Sequence, residues 1–306
     1  MCPVDLTTEL AGITLRNPIL TCSGTYGFGE EYTAYCPLEA LGGITLKGIT
    51  PLPRLGNPVP RLAETPAGLL NAVGLENPGL EEFLFSYLPK VRKLPTAVIA
   101  NISGFSLEDY TRMARSLRRD SGLAALEVNI SCPNVKHGGM HFGTDPQSAE
   151  EVIAAVKAET DLPIIAKLSP NVTDIVEMAQ AVQRGGADAV SLINTLLGMS
   201  IDLDRQRPVL ANTFGGLSGP AIRPVAVRMV WQVSQAIDLP IIGMGGITSW
   251  QDAVEFLLAG ATAVSVGTGN FVNPLAPLEI LQGIQGYCEK HGIASVHELV
   301  GLAHKS

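Results

Sequence analysis

Polar residues that can carry charge or hydrogen-bond stand at the ends of short apolar runs in this sequence. These residues are Ser23, Lys47, Asn101, Asn129, Cys132, Lys167, Asn194 and Thr195. Amines bind anions, asparagine amides both donate and accept hydrogen bonds, and a thiolate can take a proton. Together with Asn71, the asparagines suit an amide-rich heterocycle better than a simple sugar or acyl group, provided that the fold brings them to one place.

Cys132 is the candidate catalytic residue. It lies in VNISCPN (128–134), just past an apolar run and next to Pro133. Site electrostatics can tune a thiol into a nucleophile or a general base. The alternative is an inert buried cysteine, but a position beyond a strand end favours the reactive interpretation. Cys22, inside an apolar run, is expected in the core.

Lys47 and Lys167 each interrupt an apolar run. A buried lysine is costly to desolvate unless it meets an anion or a polarised atom. Pairing with a loop carboxylate is the alternative for each. Because both lysines stand at equivalent positions near the ends of barrel strands, they favour a shared anionic ligand.

Two glycine turns, GMGGI (243–247) and SVGTGN (265–270), predict a phosphate site. Backbone N–H groups at such turns can bind a phosphate, and glycine lets the backbone approach it closely.

His137 and His141 are spaced like metal ligands on a helix. Gly138 and Gly139 lie between them, so we expect no metal site.

The elements that must position these groups follow from the hydrophobic pattern. Eight apolar, β-rich runs occupy 19–24, 43–48, 97–103, 126–132, 163–169, 189–195, 240–246 and 263–269. Amphipathic helical segments occupy 106–122, 145–161, 171–188, 222–238 and 249–262. Alternating strands and helices indicate a parallel sheet, and continuous apolar strands indicate burial on both faces. An α/β fold, a (β/α)8 TIM barrel, is favoured over an open doubly wound sheet. The active site of such a barrel lies at the carboxyl ends of its strands.

Three segments fall outside this alternation. Residues 5–17 predict an N-terminal β-hairpin around Ala11-Gly12 that closes the amino end of the barrel. Residues 51–80 and 196–221 are too long for ordinary connections and are expected as long loops at the carboxyl face, where they would carry substrate contacts or a lid. We expect one barrel domain spanning 1–306.

Composition excludes several classes of function. A net charge of −8 and a pI near 5.2 argue against a surface for nucleic acid or an anionic membrane. The sequence holds no apolar run of about 18 residues, which a membrane span needs. The five cysteines are scattered and form no CxxC pair, which predicts free thiols in a reducing cytoplasm and no iron–sulfur cluster on this chain.

Taken together, the chain resembles the dihydroorotate dehydrogenases, FMN-dependent barrel enzymes of pyrimidine synthesis. The motifs that carry the likeness are LTCSGTYGFG (20–29), TLKGIT (45–50), NAVGLENPG (71–79), NISCPN (129–134), AKLSPN (166–171), INT (193–195), GLSGP (216–220), GMGGI and VGTG (266–269). Cys132, where membrane-bound relatives carry serine, resembles the soluble class. TYGFGEEY (25–32), NAVGLENPG and VKHGGM (135–140) are similar to the two-subunit, NAD-linked type. His141 and the Cys2-Pro3 start depart from the family pattern.

The resemblance implies specific roles. Cys132 would remove a proton from ring carbon 5 of dihydroorotate, and a hydride would pass from ring carbon 6 to FMN. Substrate contacts would come from Lys47, Asn71, Ala72, Val73, Gly74, Leu75, Asn129, Asn194 and Thr195. FMN contacts would come from Ser23, Lys47, Gly48, Asn101, Asn129, Lys167 and Ile193, with the phosphate held by Gly219, Gly245, Gly246, Gly267 and Thr268. Lys167 would stabilise negative charge on the reduced ring.

The resemblance also implies a partner. NAD-linked relatives pass electrons to an iron–sulfur flavoprotein subunit that carries FAD, and we expect a heterotetramer of two catalytic and two partner chains. The alternatives are direct reduction of fumarate, or a dihydropyrimidine dehydrogenase, whose cluster and NADPH domains this chain lacks. From a different class, a non-flavin aldolase or isomerase using Lys47 or Lys167 would leave Cys132 and the asparagines unexplained. A non-catalytic scaffold would leave every costly polar residue unexplained.

Overall fold

The computed structural model describes residues 3–131 and 142–305. The predicted base Cys132 and the two histidines of the excluded metal site lie outside these ranges. The strands are β1 Thr8–Leu10, β2 Ile13–Leu15, β3 Ile19–Thr21, β4 Gly43–Thr45, β5 Leu62–Thr65, β6 Gly68–Asn71, β7 Ala97–Ile102, β8 Ala125–Asn129, β9 Ile164–Lys167, β10 Ala189–Leu192, β11 Leu196–Gly198, β12 Ile201–Asp202, β13 Arg207–Pro208, β14 Gly215–Ser218, β15 Ile241–Met244 and β16 Ala263–Val266. The α-helices are α1 Leu80–Glu82, α2 Leu88–Val91, α3 Leu107–Ser116, α4 Pro146–Glu159, α5 Ile175–Arg184, α6 Arg223–Ser234, α7 Trp250–Leu258, α8 Gly269–Val272 and α9 Ala276–His291.

The eight predicted apolar runs form a closed parallel barrel. Its strand order is β10-β15-β16-β3-β4-β7-β8-β9, and helices connect most consecutive strands. The TIM-barrel prediction is confirmed. The register places Asn101 beside Glu127 and Asn129 beside Lys167 at the carboxyl ends of β7, β8 and β9.

The predicted N-terminal hairpin is present and closes the amino end of the barrel. β1 and β2 pair antiparallel, with Leu10 opposite Ile13. Leu10 and Leu15 are fully buried in one cluster with strand residues such as Ile99 and Ile165. Apolar side chains therefore fill the amino end of the barrel, opposite the strand ends that carry the candidate residues.

Side-chain hydrogen bonds cap the first turns of α4 and α7. Asp145 accepts the backbone N–H of Ser148 at the start of α4, at 2.7 Å. Ser249 and Asp252 form a reciprocal capping box at the start of α7. Such caps satisfy N–H groups that the first turn leaves unpaired.

The two long insertions pair with each other. β5 and β6 come from the first insertion, β11 and β14 from the second, and together they form a sheet in the order β11-β14-β6-β5. The sequence predicted loops here, but not that they would join into one sheet. Among the described residues, no helix is long and apolar enough to cross a membrane.

Candidate active site

A cavity of about 610 Å³ opens among the carboxyl ends of the barrel strands and the sheet of the insertions. Its volume suits a small-molecule ligand. Every described candidate residue lines it: Ser23, Lys47, Gly48, Asn71, Ala72, Val73, Gly74, Leu75, Asn101, Asn129, Lys167, Ile193, Asn194, Thr195, Gly219, Gly245, Gly246, Gly267 and Thr268. The fold therefore brings together residues spread over nearly 250 positions of sequence.

Hydrogen bonds fix the amides on one side of this cavity. Asn129 accepts from the Ser131 backbone N–H at 3.2 Å and from the Asn194 side chain at 3.4 Å. Its own amide donates to the Ser103 hydroxyl at 3.1 Å. Asn194 in turn accepts the Thr195 N–H at 2.8 Å. These bonds hold the amides in defined orientations at the cavity wall.

Asn171 is a cavity residue that the sequence analysis did not name as a candidate. Its side-chain amide donates to the Thr195 carbonyl at 3.0 Å, and its oxygen accepts the Leu197 N–H at 2.9 Å. Asn171 thus connects the AKLSPN motif to the second insertion. Its position as the last residue of that motif was the signal that could have identified it.

Lys47 and Lys167 differ in their environments. Burial lowers the pKa of Lys47 below its usual value, although the Glu76 carboxylate opposes that shift. Within the described ranges, the Lys47 ammonium forms no ion pair. Lys167 instead lies 3.2 Å from a carboxylate oxygen of Glu127, with 7% and 2% of the two side chains exposed. Lys47 is therefore the lysine whose charge remains available to an anionic ligand.

Glu127 is the second residue that the sequence analysis missed. Its carboxylate accepts hydrogen bonds from Asn101 at 2.7 Å and from Ser191 at 2.8 Å, besides the Lys167 ammonium. A charged residue inside the apolar run of β8 was the available signal. The amide oxygen of Asn101 is buried and has no hydrogen-bond partner among the described residues.

The glycine turns form a cradle of closely spaced backbone. Gly219, Gly245 and Gly246 have φ angles of 96°, 128° and 78°. A Cβ at Gly246 would lie 2.7 Å from the Gly219 carbonyl oxygen. The Thr268 hydroxyl donates to Ser218 at 2.7 Å beside this cradle. Only glycine allows these backbone segments to come so close without strain, and a phosphate bound by backbone N–H groups requires such close backbone.

Cys22, which we expect in the core, packs against the buried apolar cluster at the centre of the barrel and also lines the cavity. It follows the end of β3, and its thiol lies 3.4 Å from the Ser265 carbonyl oxygen. Burial raises the pKa of the Cys22 thiol, so this thiol is a poor source of thiolate.

Ser131, the residue before Cys132, also lines the cavity. In the described parts of the chain, no three histidine, cysteine or carboxylate side chains group as a metal site.

Comparisons with known proteins agree with this geometry. The family model described as dihydroorotate dehydrogenase matches residues 5–287. The chain is 57% identical over 301 residues to a protein of Geotalea daltonii named dihydroorotate dehydrogenase B (NAD(+)), catalytic subunit, covering 98% of this chain and 99% of that protein. A protein of Desulforamulus reducens with the same name is 56% identical over 301 residues, with the same coverage.

A solved structure supports the fold alone. The Eimeria tenella DHODH crystal structure, in complex with ferulenol, superposes with a TM-score of 0.82 at 22% sequence identity. The superposition covers 99% of this chain and 89% of the other. The family expected from the motifs is confirmed: the chain belongs to the dihydroorotate dehydrogenases, a family of oxidoreductases.

Proposed function

We propose that this chain oxidises dihydroorotate to orotate with bound FMN, and that its electrons leave through a partner subunit to NAD. The observation that carries this proposal is the single cavity in which Lys47 and the asparagine amides lie beside the glycine cradle. The cavity thus offers one subsite for an anionic, amide-rich ring and one for a phosphate. A non-flavin aldolase or isomerase would need a lysine in this cavity, but it would leave the asparagine amides without a role.

The residues present fit FMN. The cradle of Gly219, Gly245 and Gly246, with Gly267 and Thr268, offers backbone N–H groups to a phosphate. The buried oxygen of Asn101 lacks a donor among the described residues, and a flavin ring carries N–H groups. Ser23, Gly48 and Ile193 line the same cavity. These residues would hold the cofactor together with Lys167.

Substrate binding falls to the other residues of the cavity. The Lys47 ammonium would pair with the substrate carboxylate, because within the described ranges it forms no other ion pair. Asn71, Asn129, Asn194 and Thr195 would donate to and accept from the ring amides, and the segment from Ala72 to Leu75 would close over the ring. Hydrogen bonds already orient the amides of Asn71, Asn129 and Asn194, so little ordering of these side chains is left to the moment of binding.

Cys132 is proposed as the base. Ser131, the residue before it in the sequence, lines the cavity and donates from its hydroxyl to the Lys167 carbonyl at 3.1 Å. The Cys132 thiolate would take the proton from ring carbon 5 as the double bond to carbon 6 forms. FMN, when bound, supplies the acceptor for the hydride that leaves ring carbon 6.

Electron exit requires a second chain in this proposal. The similar proteins are named catalytic subunits of an NAD(+) enzyme. The scattered cysteines of this chain lack the clustered spacing that an iron–sulfur centre needs. We therefore propose a partner that carries FAD and an iron–sulfur cluster, in a heterotetramer of two chains of each kind. The three cysteines among the described residues, Cys22, Cys36 and Cys288, are free thiols, which supports a cytoplasmic location.

The test is to purify the chain and identify its pigment and its acceptor. We expect a yellow protein that releases FMN on denaturation and reduces artificial dyes with dihydroorotate. NAD should be reduced only when the partner subunit is added. A colourless protein that stays inactive with added FMN would contradict the proposal, and rapid turnover with fumarate alone would contradict the NAD-linked part.

A further inference from the structure

Glu127 is a buried acidic residue whose role the proposed chemistry leaves open. It lies in β8 with 1% of its surface exposed, inside the barrel wall. Burying a carboxylate is costly unless its charge and its lone pairs are matched. Glu127 stands between the buried apolar residues Leu126 and Val128, and packing alone does not explain a carboxylate there.

Three donors on neighbouring strands match this carboxylate. One oxygen accepts from the Asn101 amide on β7 at 2.7 Å and from the Lys167 ammonium on β9 at 3.2 Å. The other oxygen accepts from the Ser191 hydroxyl on β10 at 2.8 Å. Glu127 therefore holds together four adjacent barrel strands through a fully buried polar network.

Two of the three donors face the cavity. Asn101 and Lys167 both line it, whereas Glu127 itself does not. Because the Asn101 nitrogen donates to Glu127, its oxygen remains as a buried acceptor without a partner among the described residues. The orientation of this amide and the position of the Lys167 ammonium are thus both set by one carboxylate.

We propose that Glu127 is a positioning residue that aligns Asn101 and Lys167 against the flavin ring and partly neutralises the Lys167 charge, so that it sets the balance between oxidised and reduced FMN. This inference rests on the proposed function, because it requires FMN in the cavity. Lys167 alone would place an uncompensated positive charge at the ring. Glu127 limits how strongly that charge favours the reduced form.

Replacing Glu127 by glutamine tests this charge without removing the network. The glutamine oxygen can accept from Asn101 and Lys167, and its nitrogen can donate to the Ser191 hydroxyl, which both donates and accepts. Glu127→Gln thus removes one negative charge while it keeps the shape and the hydrogen bonds. Reduced FMN carries more negative charge than oxidised FMN, so the variant should bind reduced FMN preferentially.

The measurement is the ratio of the affinities for reduced and oxidised FMN, obtained by titrating the apoprotein with each form. We expect Glu127→Gln to raise this ratio by about tenfold or more, which equals a midpoint potential ~30 mV higher for a two-electron couple. The ratio remains measurable even if both affinities fall. Replacing Lys167 by glutamine as well should bring the ratio back towards the wild-type value, because the pair is then neutral.

Two controls separate charge from structure. Ser191→Ala removes one hydrogen bond and keeps the carboxylate, so its ratio should stay near that of the wild type. Asp188→Asn removes a negative charge from the surface pair with Lys157 and should likewise leave the ratio unchanged. A change smaller than tenfold in Glu127→Gln, a fall in the ratio, or an equal rise in Asp188→Asn would overturn the inference.

The failure of this inference differs from the failure of the proposed function. A wild-type protein that binds FMN, with a ratio unaffected by Glu127→Gln, would overturn only the role of Glu127. A wild-type protein that binds no FMN in either form would overturn both.

Discussion

Asn71 donates from its side-chain amide to the Gly216 carbonyl at 3.2 Å, and the two residues face each other across β6 and β14. They lie 145 positions apart, one in each long insertion. This pairing builds a cavity wall from segments that are separate in the sequence. The proposed substrate subsite therefore depends on how closely the two insertions approach each other.

Gly216→Ala should disturb substrate binding more than FMN binding. An added Cβ would overlap the Thr195 side chain, which lines the cavity and is proposed to contact the substrate. We expect the Kd for orotate to rise by about tenfold or more, equal to about 1.4 kcal/mol, with FMN content unchanged. Equilibrium titration with orotate measures this. An unchanged Kd would show that Thr195 takes no part in binding.

Gly246→Ala should weaken the binding of FMN. The residue has a φ of 78°, and its Cβ would lie 2.7 Å from the Gly219 carbonyl oxygen. A left-handed conformation costs a non-glycine residue roughly 1–2 kcal/mol before any clash, so we expect the Kd for FMN to rise by about tenfold or more. Dialysis of the apoprotein against FMN measures this affinity.

Gly286→Ala is the matched control for both glycine variants. It lies exposed in α9, with no atom within 4 Å of an added Cβ. The substitution should leave FMN and orotate binding unchanged and stabilise the helix by about 0.5–1 kcal/mol. If Gly246→Ala and this control lost FMN equally, the glycine cradle would be ruled out as the site that binds the FMN phosphate.

Orotate binding should weaken as the pH rises, because Lys47 must be protonated to pair with a carboxylate. Burial lowers the pKa of Lys47, so the ammonium loses its proton at a lower pH than an ordinary lysine of pKa 10.5. The alkaline fall in affinity should therefore begin below that value. Lys47→Arg keeps a charge at all accessible pH values and should move the fall to higher pH. An unmoved fall would assign it to another group.

Cys132→Ala should retain FMN and lose most of its reduction by dihydroorotate. A positioned general base contributes about 10²–10⁴-fold, and the loss should lie in that range. Cys288→Ala, far from the cavity in α9, is the control and should keep the wild-type reduction rate. Stopped-flow absorbance measures both rates. Wild-type reduction by Cys132→Ala would remove this thiol as the base.

The sequence predicted the barrel and most of the cavity, because these depend on local patterns. Apolar runs such as the one before Asn129 mark buried strands, and a residue at the carboxyl end of such a strand lies near the mouth of the barrel, where the active site is built. The glycine turns were recognisable for the same reason. Nearly all the polar candidates therefore lie where the pattern placed them.

The parts of the structure that the sequence did not predict depend on contacts between residues far apart in the chain. The pairing of Leu70 with Leu217 leaves no local signature, so the sheet of the insertions was not predicted. Glu127 was missed because its partners Asn101, Lys167 and Ser191 come from three other strands. Cys22 packs against the core as its apolar run predicts, but it follows the end of β3 and so also reaches the cavity, which the run alone does not indicate.

We propose above all that this cavity transfers a hydride from dihydroorotate to FMN. The most direct test mixes the purified wild-type chain with dihydroorotate without oxygen, NAD, fumarate or partner subunit, and follows the visible flavin absorbance. We predict that the absorbance is lost while one orotate forms for each bound FMN. A protein that holds FMN but whose absorbance stays unchanged at saturating dihydroorotate would contradict the account.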